Sequence, residues 1–188
     1  MQDTLKTISE QANRISDITS KLSSLAKMDG NNQKLDYEDF CLNELVQITA
    51  DEVSIEYENQ HKNIQINIHA DDNITVHADR IMIVRLFVNL ISNSVKYGVK
   101  DGTTDIYLTK KGNSVECVIS DNGIGISKDI ETRLFDPFET KKKKGRGLGL
   151  YIVANNLKYH SARIRLLNER NSYGNLFKFE IELSSTLS

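Results

Sequence analysis

The first 29 residues contain neither glycine nor proline, and their apolar and small residues recur at steps of three and four positions. This spacing predicts a helix whose seam packs against a partner helix, as in a heptad coiled coil. The seam positions are Leu5, Ile8, Ala12, Ile15, Thr19, Leu22 and Ala26. Gly30 and the two asparagines after it favour a helix end and a hydrophilic connection. We therefore predict a helix over residues 1–29, a linker over 30–36 and a separate domain over 37–188.

Residues 37–188 alternate between two periodicities. Runs in which every second residue is apolar, such as Ile64, Ile66 and Ile68, predict half-buried strands, while longer apolar runs predict helices. A hairpin turn is predicted at Lys111, Gly112 and Asn113. The predicted order is a strand at 37–41, a helix at 43–60, strands at 63–70 and 74–78, a helix at 78–97, the hairpin strands, a glycine-opened helix, and strands at 163–167 and 176–183. This mixture favours an α+β fold, a two-layer α/β sandwich whose mixed sheet carries helices on one face.

Charge and composition exclude some classes of protein. The 24 basic and 26 acidic residues nearly cancel, so the chain as a whole lacks the basic surplus typical of nucleic-acid or anionic-lipid binding. Cys41 and Cys117 stand far apart and fit no metal-ligand spacing, which indicates free thiols in a reducing compartment. No stretch approaches the roughly 18 consecutive apolar residues of a membrane span, and no basic and then apolar leader is present. We expect an unsecreted, cytoplasmic chain.

Four polar residues form a stripe along the helix predicted at 78–97. Asn89, Asn93, Lys96 and Tyr97 recur at helical spacing, with apolar residues around them. The amides could simply hydrogen-bond to neighbouring backbone, as buried amides commonly do. Alternatively, an amide oxygen could bind Mg²⁺ while the lysine contacts phosphate and the tyrosine lies against a planar ligand. The stripe alone favours the first interpretation.

The sequence DNGIGI, residues 121–126, directly follows a predicted strand. Asp121 at the strand end could accept a hydrogen bond from a flat ligand, and Gly123 and Gly125 would let the backbone pass close to it. A turn capped by the same aspartate is the simpler alternative. Further on, Pro137 stands between two phenylalanines and predicts a rigid turn, which is either a packed loop or the hinge of a lid.

Four lysines, residues 141–144, precede a helix whose start carries three glycines. Gly145, Gly147 and Gly149 would each cost about 1 kcal/mol relative to alanine inside a helix, so folding alone does not explain them. Free N–H groups at a helix start favour an anion, and the lysines add charge that can reach a polyphosphate. A solvated lysine loop is the alternative. The spacing matches neither a P-loop nor a dinucleotide fingerprint.

The order of these motifs is more informative than any one of them. An N-x-x-x-N helix at residues 89–93 is followed by D-x-G-x-G at 121–125, F-x-x-F at 135–138 and G-x-G-x-G at 145–149. In this order, residues 37–185 resemble the catalytic and ATP-binding domain of bacterial sensor histidine kinases, with its N, G1, F and G2 boxes. The resemblance implies the Bergerat-type α/β sandwich, with ATP held between the N-box and G2 helices.

The resemblance also implies roles for individual residues. Asp121 would read the adenine amino group, Asn93 would bind Mg²⁺, and Lys96 would lie near phosphate. The implied catalytic residues are Asn89, Asn93 and Lys96. The implied nucleotide-binding residues are Asn89, Asn93, Lys96, Tyr97, Asp121, Gly123, Gly125, Ile126, Phe138, Lys141, Lys144, Gly145, Arg146, Gly147, Leu148, Gly149 and Leu150. The implied cofactors are ATP and Mg²⁺.

The identity of residue 89 helps to predict which group accepts the phosphoryl group of ATP. In the wider superfamily that the resemblance indicates, gyrase B-related ATPases and serine kinases of the anti-sigma-factor type have a glutamate as general base where this chain has Asn89. An amide cannot take a proton from water or serine. Transfer of the ATP γ-phosphoryl group to a histidine, which is nucleophilic at neutral pH, is therefore favoured. The alternatives are an ATP-dependent switch or interaction module without transfer, and a serine/threonine kinase of the anti-sigma type.

Residues 1–29 resemble the second helix of the dimerisation hairpin that precedes the ATP domain in these kinases. None of the four histidines matches an H-E-L-R-type acceptor box, so the acceptor helix is expected outside this chain. The implied partners are a second copy, through the amino-terminal helix, and a response-regulator receiver domain. Neither nucleic acid nor direct membrane attachment is expected, and an anchor would lie upstream. Glu139 and Arg146 depart from the residues common at their positions, which leaves the role of the short lysine-rich lid open.

Overall fold

The structure is a computed structural model that describes residues 35–58, 64–99, 101–123, 125–137, 148–160, 162–167 and 176–182, the last range by its backbone alone. The chain divides into two compact units, Met1–Leu35 and Asp36–Ser188. Apart from Leu35, every described residue belongs to the second unit. The predicted helix over 1–29 and most of the linker over 30–36 lie outside the described residues, so both remain predictions.

Within the described ranges, four helices and seven strands follow one another. They are β1 (Tyr37–Cys41), α1 (Leu42–Glu58), β2 (Gln65–Ala70), β3 (Thr75–Asp79), α2 (Arg80–Tyr97), β4 (Thr103–Lys111), β5 (Ser114–Asp121), α3 (Lys128–Glu131), α4 (Gly149–Tyr159), β6 (Arg165–Leu166) and β7 (Leu176–Glu182). Their order confirms the prediction, to which the single-turn helix α3 is added. None of these helices is both long and apolar enough to span a membrane.

Five strands form a mixed sheet in the order β2-β4-β5-β7-β6. β2 and β4 run parallel, while the other neighbouring pairs are antiparallel. β4 and β5 form the predicted hairpin, in which Lys111 pairs with Ser114 and Gly112 has a φ of 60°. Glycine adopts this left-handed conformation without a steric penalty, which explains its place in the turn. β3 does not join this sheet and pairs instead with β1 in a two-stranded ribbon.

The helices cover one face of the β4–β5 hairpin. Alternate residues of the two strands are buried on that face, whereas Tyr107 on the opposite face is 41% exposed. The buried apolar residues of the hairpin are Ile106, Leu108, Val115, Cys117 and Ile119. They form one core with apolar side chains of α1, α2 and α4, including Leu45, Leu86 and Val153. This arrangement is the predicted two-layer α/β sandwich.

Hydrogen bonds fix both ends of α2, the helix that carries the predicted polar stripe. Asp79 precedes the helix, and its side chain accepts a hydrogen bond from the N–H of Met82 at 3.0 Å. This cap explains why α2 begins at Arg80, two residues later than predicted. At the other end, the N–H of Gly98 donates to the Ser94 carbonyl at 2.7 Å. The fold itself therefore sets the position of the polar stripe.

Candidate nucleotide-binding site

Asn89 and Asn93 lie one turn apart on α2 and face the first residue of α4. A Cβ atom placed on Gly149 would lie 3.1 Å from Asn89 Oδ1 and 3.7 Å from Asn93 Nδ2. Because glycine has no Cβ, no side chain of Gly149 lies between these amides and the backbone of α4. Two motifs that stand far apart in the sequence, the N box and the end of the G2 box, thus come together at one place.

The Asn89 amide is held by its own helix. Its Nδ2 donates a hydrogen bond to the Arg85 carbonyl, one turn earlier, at 2.7 Å. Its Oδ1 is the atom nearest to the Cβ position of Gly149. An amide oxygen can accept a hydrogen bond or bind a cation, but it does not act as a base.

Asp121 is the last residue of β5 and is 3% exposed. Its Oδ1 accepts a hydrogen bond from the N–H of Gly123 at 2.8 Å, so the aspartate-capped turn offered as the simpler interpretation is present. A carboxylate can accept more than one hydrogen bond. A Cβ atom on Gly123 would lie 2.7 Å from Asp121 Oδ1 and 2.8 Å from the Tyr97 carbonyl oxygen. Only glycine fits where this loop passes the end of α2.

Gly125 and Ile126 continue the same loop. Gly125 has a φ of 76°, a conformation that costs an ordinary L-residue about 1–2 kcal/mol. Ile126 is half-buried and packs against the hydrophobic core. The second glycine of the motif therefore allows the turn, and the isoleucine after it anchors the loop.

Asn122 ties this loop to β4, a role that the sequence reasoning missed. Its side-chain Oδ1 accepts a hydrogen bond from the Thr103 N–H at 3.0 Å. Its own N–H donates to the Thr103 carbonyl at 3.3 Å. Asparagine beside glycine is a turn signal, but the strand that it would contact could not be identified from local sequence.

Lys96 and Tyr97 complete the stripe in the last turn of α2. The Lys96 ammonium lies 5.4 Å from the centre of the Tyr97 ring, within the range of a cation–π contact. Lys96 is exposed and Tyr97 is half-buried. Since the Tyr97 carbonyl adjoins Gly123, the end of the stripe lies beside the Asp121 turn.

α4 begins where the glycine-rich stretch ends. Leu148 precedes the helix, is 3% exposed, and accepts a hydrogen bond from the Ile152 N–H at its carbonyl, at 2.9 Å. Leu150 packs half-buried against the core. Six predicted site residues lie outside the described residues, namely Phe138, Lys141, Lys144, Gly145, Arg146 and Gly147. Their roles remain predictions.

Three histidines are described, and each makes contacts within the fold. His69 and His77 are exposed, and each pairs with an aspartate of the neighbouring strand. His160 is buried, and its Nε2 accepts a hydrogen bond from the Asp79 N–H at 3.0 Å. These contacts give the three described rings structural roles within the fold. His61 lies outside the described residues.

The donor groups on the stripe of α2 are amide oxygens, which are ligands of a kind that Mg²⁺ accepts. In the part of the chain that the structure describes, no group of three His, Cys, Asp or Glu side chains could hold a metal ion. Mg²⁺ in nucleotide sites is usually bound by one or two protein oxygens, with phosphates and waters as the other ligands. The amides of Asn89 and Asn93 fit this need, since no side chain separates them from the start of α4.

Comparisons with known proteins point to one family. A family model described as histidine kinase-, DNA gyrase B- and HSP90-like ATPase matches residues 78–185. The chain is 32% identical over 186 residues to the sensor protein KdpD of Clostridium acetobutylicum, a match that covers 96% of this chain and 20% of that protein.

Two solved structures have a similar fold. The catalytic domain of histidine kinase ThkA, free of nucleotide, has a TM-score of 0.68 and 28% identity, covering 79% of this chain and 96% of that one. ThkA in complex with the response regulator protein TrrA has a TM-score of 0.71 and 24% identity, covering 91% of this chain and 48% of that one.

The similarity concerns a part of a longer protein, since the chain spans 20% of the length of KdpD. The family match covers more than half of the chain and includes Asn89, Asp121 and Gly149. Membership of an ATPase family implies ATP binding. The chain therefore belongs to the histidine kinase-, DNA gyrase B- and HSP90-like ATPase family, and it carries a catalytic domain like those of sensor histidine kinases.

Proposed function

We propose that the chain is the ATP-binding catalytic core of a two-component sensor histidine kinase. It transfers the γ-phosphoryl group of ATP to a histidine on a dimerisation helix outside this chain. The observation that carries the proposal is the amide of Asn89, one turn before Asn93 on the face of α2 that meets Gly149. If water or a hydroxyl group accepted the phosphoryl group, the position of Asn89 would need a general base.

The need for a base separates the possible acceptors. Water and serine lose a proton as the phosphoryl group arrives, whereas neutral imidazole already has a ring nitrogen with a free lone pair. Asn89 cannot take that proton, and its Nδ2 is already bonded to the Arg85 carbonyl. The site therefore supports transfer to histidine over hydrolysis or transfer to serine.

We assign recognition of the base to the Asp121 turn. The nearly buried carboxylate is proposed to accept a hydrogen bond from the adenine amino group while it keeps its bond to the Gly123 N–H. Gly123 and Gly125 let the loop pass close to the base. Ile126 supplies apolar surface beside it, and Tyr97 supplies aromatic surface.

We assign the phosphates and the metal to α2 and the start of α4. Asn93 is the proposed protein ligand of Mg²⁺, whose charge would offset that of the phosphates. Lys96 is proposed to contact phosphate. The main-chain N–H groups of the glycine-rich stretch up to Gly149 are proposed to hold the triphosphate, because a helix start favours negative charge. Catalysis then consists mainly of positioning and charge stabilisation.

The proposal includes two partners. A second copy would pair through the heptad seam of residues 1–29, and a receiver domain would take the phosphoryl group from the histidine. The ThkA–TrrA complex supports this class of partner by analogy. Since ATP is the phosphoryl donor, the domain is proposed to act in the cytoplasm, whether or not the parent protein is anchored in a membrane.

Transfer is tested with γ-³²P-labelled ATP, Mg²⁺ and a supplied dimerisation hairpin that carries an acceptor histidine. The expected product is a hairpin whose label is lost in acid and kept in alkali, as for phosphohistidine. A hairpin with glutamine in place of that histidine is the control and should stay unlabelled. Acid-stable label would contradict the proposal and favour a serine or threonine kinase. Binding of ATP without any transfer would favour a conformational switch.

A further inference from the structure

Thr104 on β4 is buried without a hydrogen-bond partner. Its side chain is fully buried, and its Oγ1 makes no hydrogen bond. Among the described residues, only Ser127 Oγ shares this condition. A buried hydroxyl group that makes no hydrogen bond costs about 1–3 kcal/mol. The following positions on the same face, Ile106 and Leu108, are buried and apolar. A valine at position 104 would therefore suit packing in the core as well as threonine does.

The hydroxyl group stands directly across from Asp121. Thr104 and Asp121 are cross-strand partners, and both side chains point into the helix-covered face of the hairpin. The neighbouring pair, Thr103 and Asn122, is joined by a main-chain hydrogen bond. Because hydrogen-bonded and non-hydrogen-bonded pairs alternate, Thr104 and Asp121 form a non-hydrogen-bonded pair, in which Cα atoms approach to about 4.5 Å and side chains are closest.

We propose that Thr104 is a positioning residue for recognition of the nucleotide base. When a base is bound, the Thr104 hydroxyl group donates a hydrogen bond to the Asp121 carboxylate. This bond holds the carboxylate toward the amino group of adenine. Thr104 does not touch the nucleotide, since its side chain is fully buried. This inference rests on the proposed function, and it adds a residue that no sequence motif marks.

The chemistry of the pair supports this role. A threonine hydroxyl can rotate between staggered positions, and a carboxylate can accept several hydrogen bonds. The Gly123 N–H already binds Asp121 Oδ1 from the loop side. A second donor from β4 would hold the carboxylate from the strand side, in the geometry that the amino group needs. Hydrogen bonds to a charged group are stronger than neutral ones, so loss of the donor should be measurable.

The test compares Thr104→Val, which removes the hydroxyl group, with Thr104→Ser, which keeps it. Calorimetry measures the affinity of each variant for ADP and for purine riboside 5′-diphosphate, which lacks the amino group that Asp121 is proposed to bind. Thr104→Val is expected to weaken ADP binding about tenfold, the equivalent of one hydrogen bond to a charged group. Its affinity for the purine riboside nucleotide is expected to stay as in the wild type. Thr104→Ser should keep the wild-type affinity for both.

Several results would overturn the inference. Unchanged ADP affinity in Thr104→Val would show that the hydroxyl group plays no part, and equal weakening of both nucleotides would indicate a packing effect. If Thr104→Val does not fold, Thr104→Ala is compared with Thr104→Ser in the same way.

Asp121→Asn distinguishes failure of the inference about Thr104 from failure of the proposed function. Weak ADP binding by Asp121→Asn together with normal binding by Thr104→Val refutes the inference alone. Failure of the wild type to bind ADP refutes both.

Discussion

The first residue of α4, Gly149, lies against the side chain of Asn89 on α2, so closely that a Cβ atom at Gly149 would be 3.1 Å from Asn89 Oδ1. Gly149→Ala should therefore push this amide aside by a few tenths of an ångström. Because alanine gains up to about 1 kcal/mol in a helix, the free energy of unfolding should change little. Nucleotide affinity should fall roughly tenfold, as for the loss of about one hydrogen bond.

Calorimetry and thermal unfolding together check this prediction. Gly112→Ala in the hairpin turn is the matched control, because a Cβ atom there meets open space. Its φ of 60° should cost about 1–2 kcal/mol of stability without any effect on nucleotide binding. Nucleotide affinity of Gly149→Ala equal to that of the wild type would show that the contact between α2 and α4 does not shape the site.

Asn93→Ala should separate metal binding from nucleotide binding. If the Asn93 amide oxygen is the protein ligand of Mg²⁺, the variant should bind an ATP analogue equally well with and without the metal. Its affinity without Mg²⁺ should stay within a few-fold of the wild type. Ser92→Ala, at the preceding position of the same helix, is the control and should keep the Mg²⁺ effect. A full Mg²⁺ effect in Asn93→Ala would rule out the ligand role.

Gly123→Ala tests the close passage of the loop beside α2. Its Cβ atom would meet the Tyr97 carbonyl oxygen at 2.8 Å, a backbone atom that cannot move aside by a side-chain rotation. We expect a loss of about 1–3 kcal/mol in the free energy of unfolding, the usual range for overpacking. Nucleotide affinity should fall as well, because the Gly123 N–H holds Asp121. Wild-type values for both quantities would mean that the loop has room which the structure does not show.

His160 joins the start of α2 to the end of α4. Its Nε2 accepts the Asp79 N–H at 3.0 Å, and its Nδ1 lies 2.8 Å from the Asn156 carbonyl oxygen, to which it donates. His160→Leu should leave both buried partners without a bond and lower the free energy of unfolding by about 1–3 kcal/mol. His77→Leu, at an exposed site, should change it by less than about 0.5 kcal/mol. Equal effects of the two substitutions in denaturant titrations would refute this account of the buried ring.

Local periodicity was enough to predict most of the elements. The alternation on either side of Gly112 predicted the β4–β5 hairpin, and the long apolar run predicted α2. Local sequence does not encode which strands pair, so the ribbon of β1 and β3 could not be predicted from the alternation of β3 alone. The single turn of α3 is too short to have a detectable period.

The candidate site was predictable only where a motif marks it. Asn89, Asn93, Asp121 and Gly149 stand in motifs, and the structure brings Asn89 and Asn93 to Gly149 as the order of the motifs implied. Thr104 stands in no motif. Its burial opposite Asp121 follows from strand register, which depends on the pairing of the whole hairpin.

The Asp121 turn and the amides of α2 are proposed to form a binding site for magnesium nucleotide. Titration calorimetry of a non-hydrolysable ATP analogue, with and without Mg²⁺, tests it on the wild type and on Asp121→Asn. Asparagine can still accept the Gly123 N–H, but its second polar atom is a donor that would oppose the adenine amino group. The wild type should show saturable binding that Mg²⁺ strengthens, and Asp121→Asn should lose this binding. No binding by the wild type, or equal binding by both proteins, would contradict it.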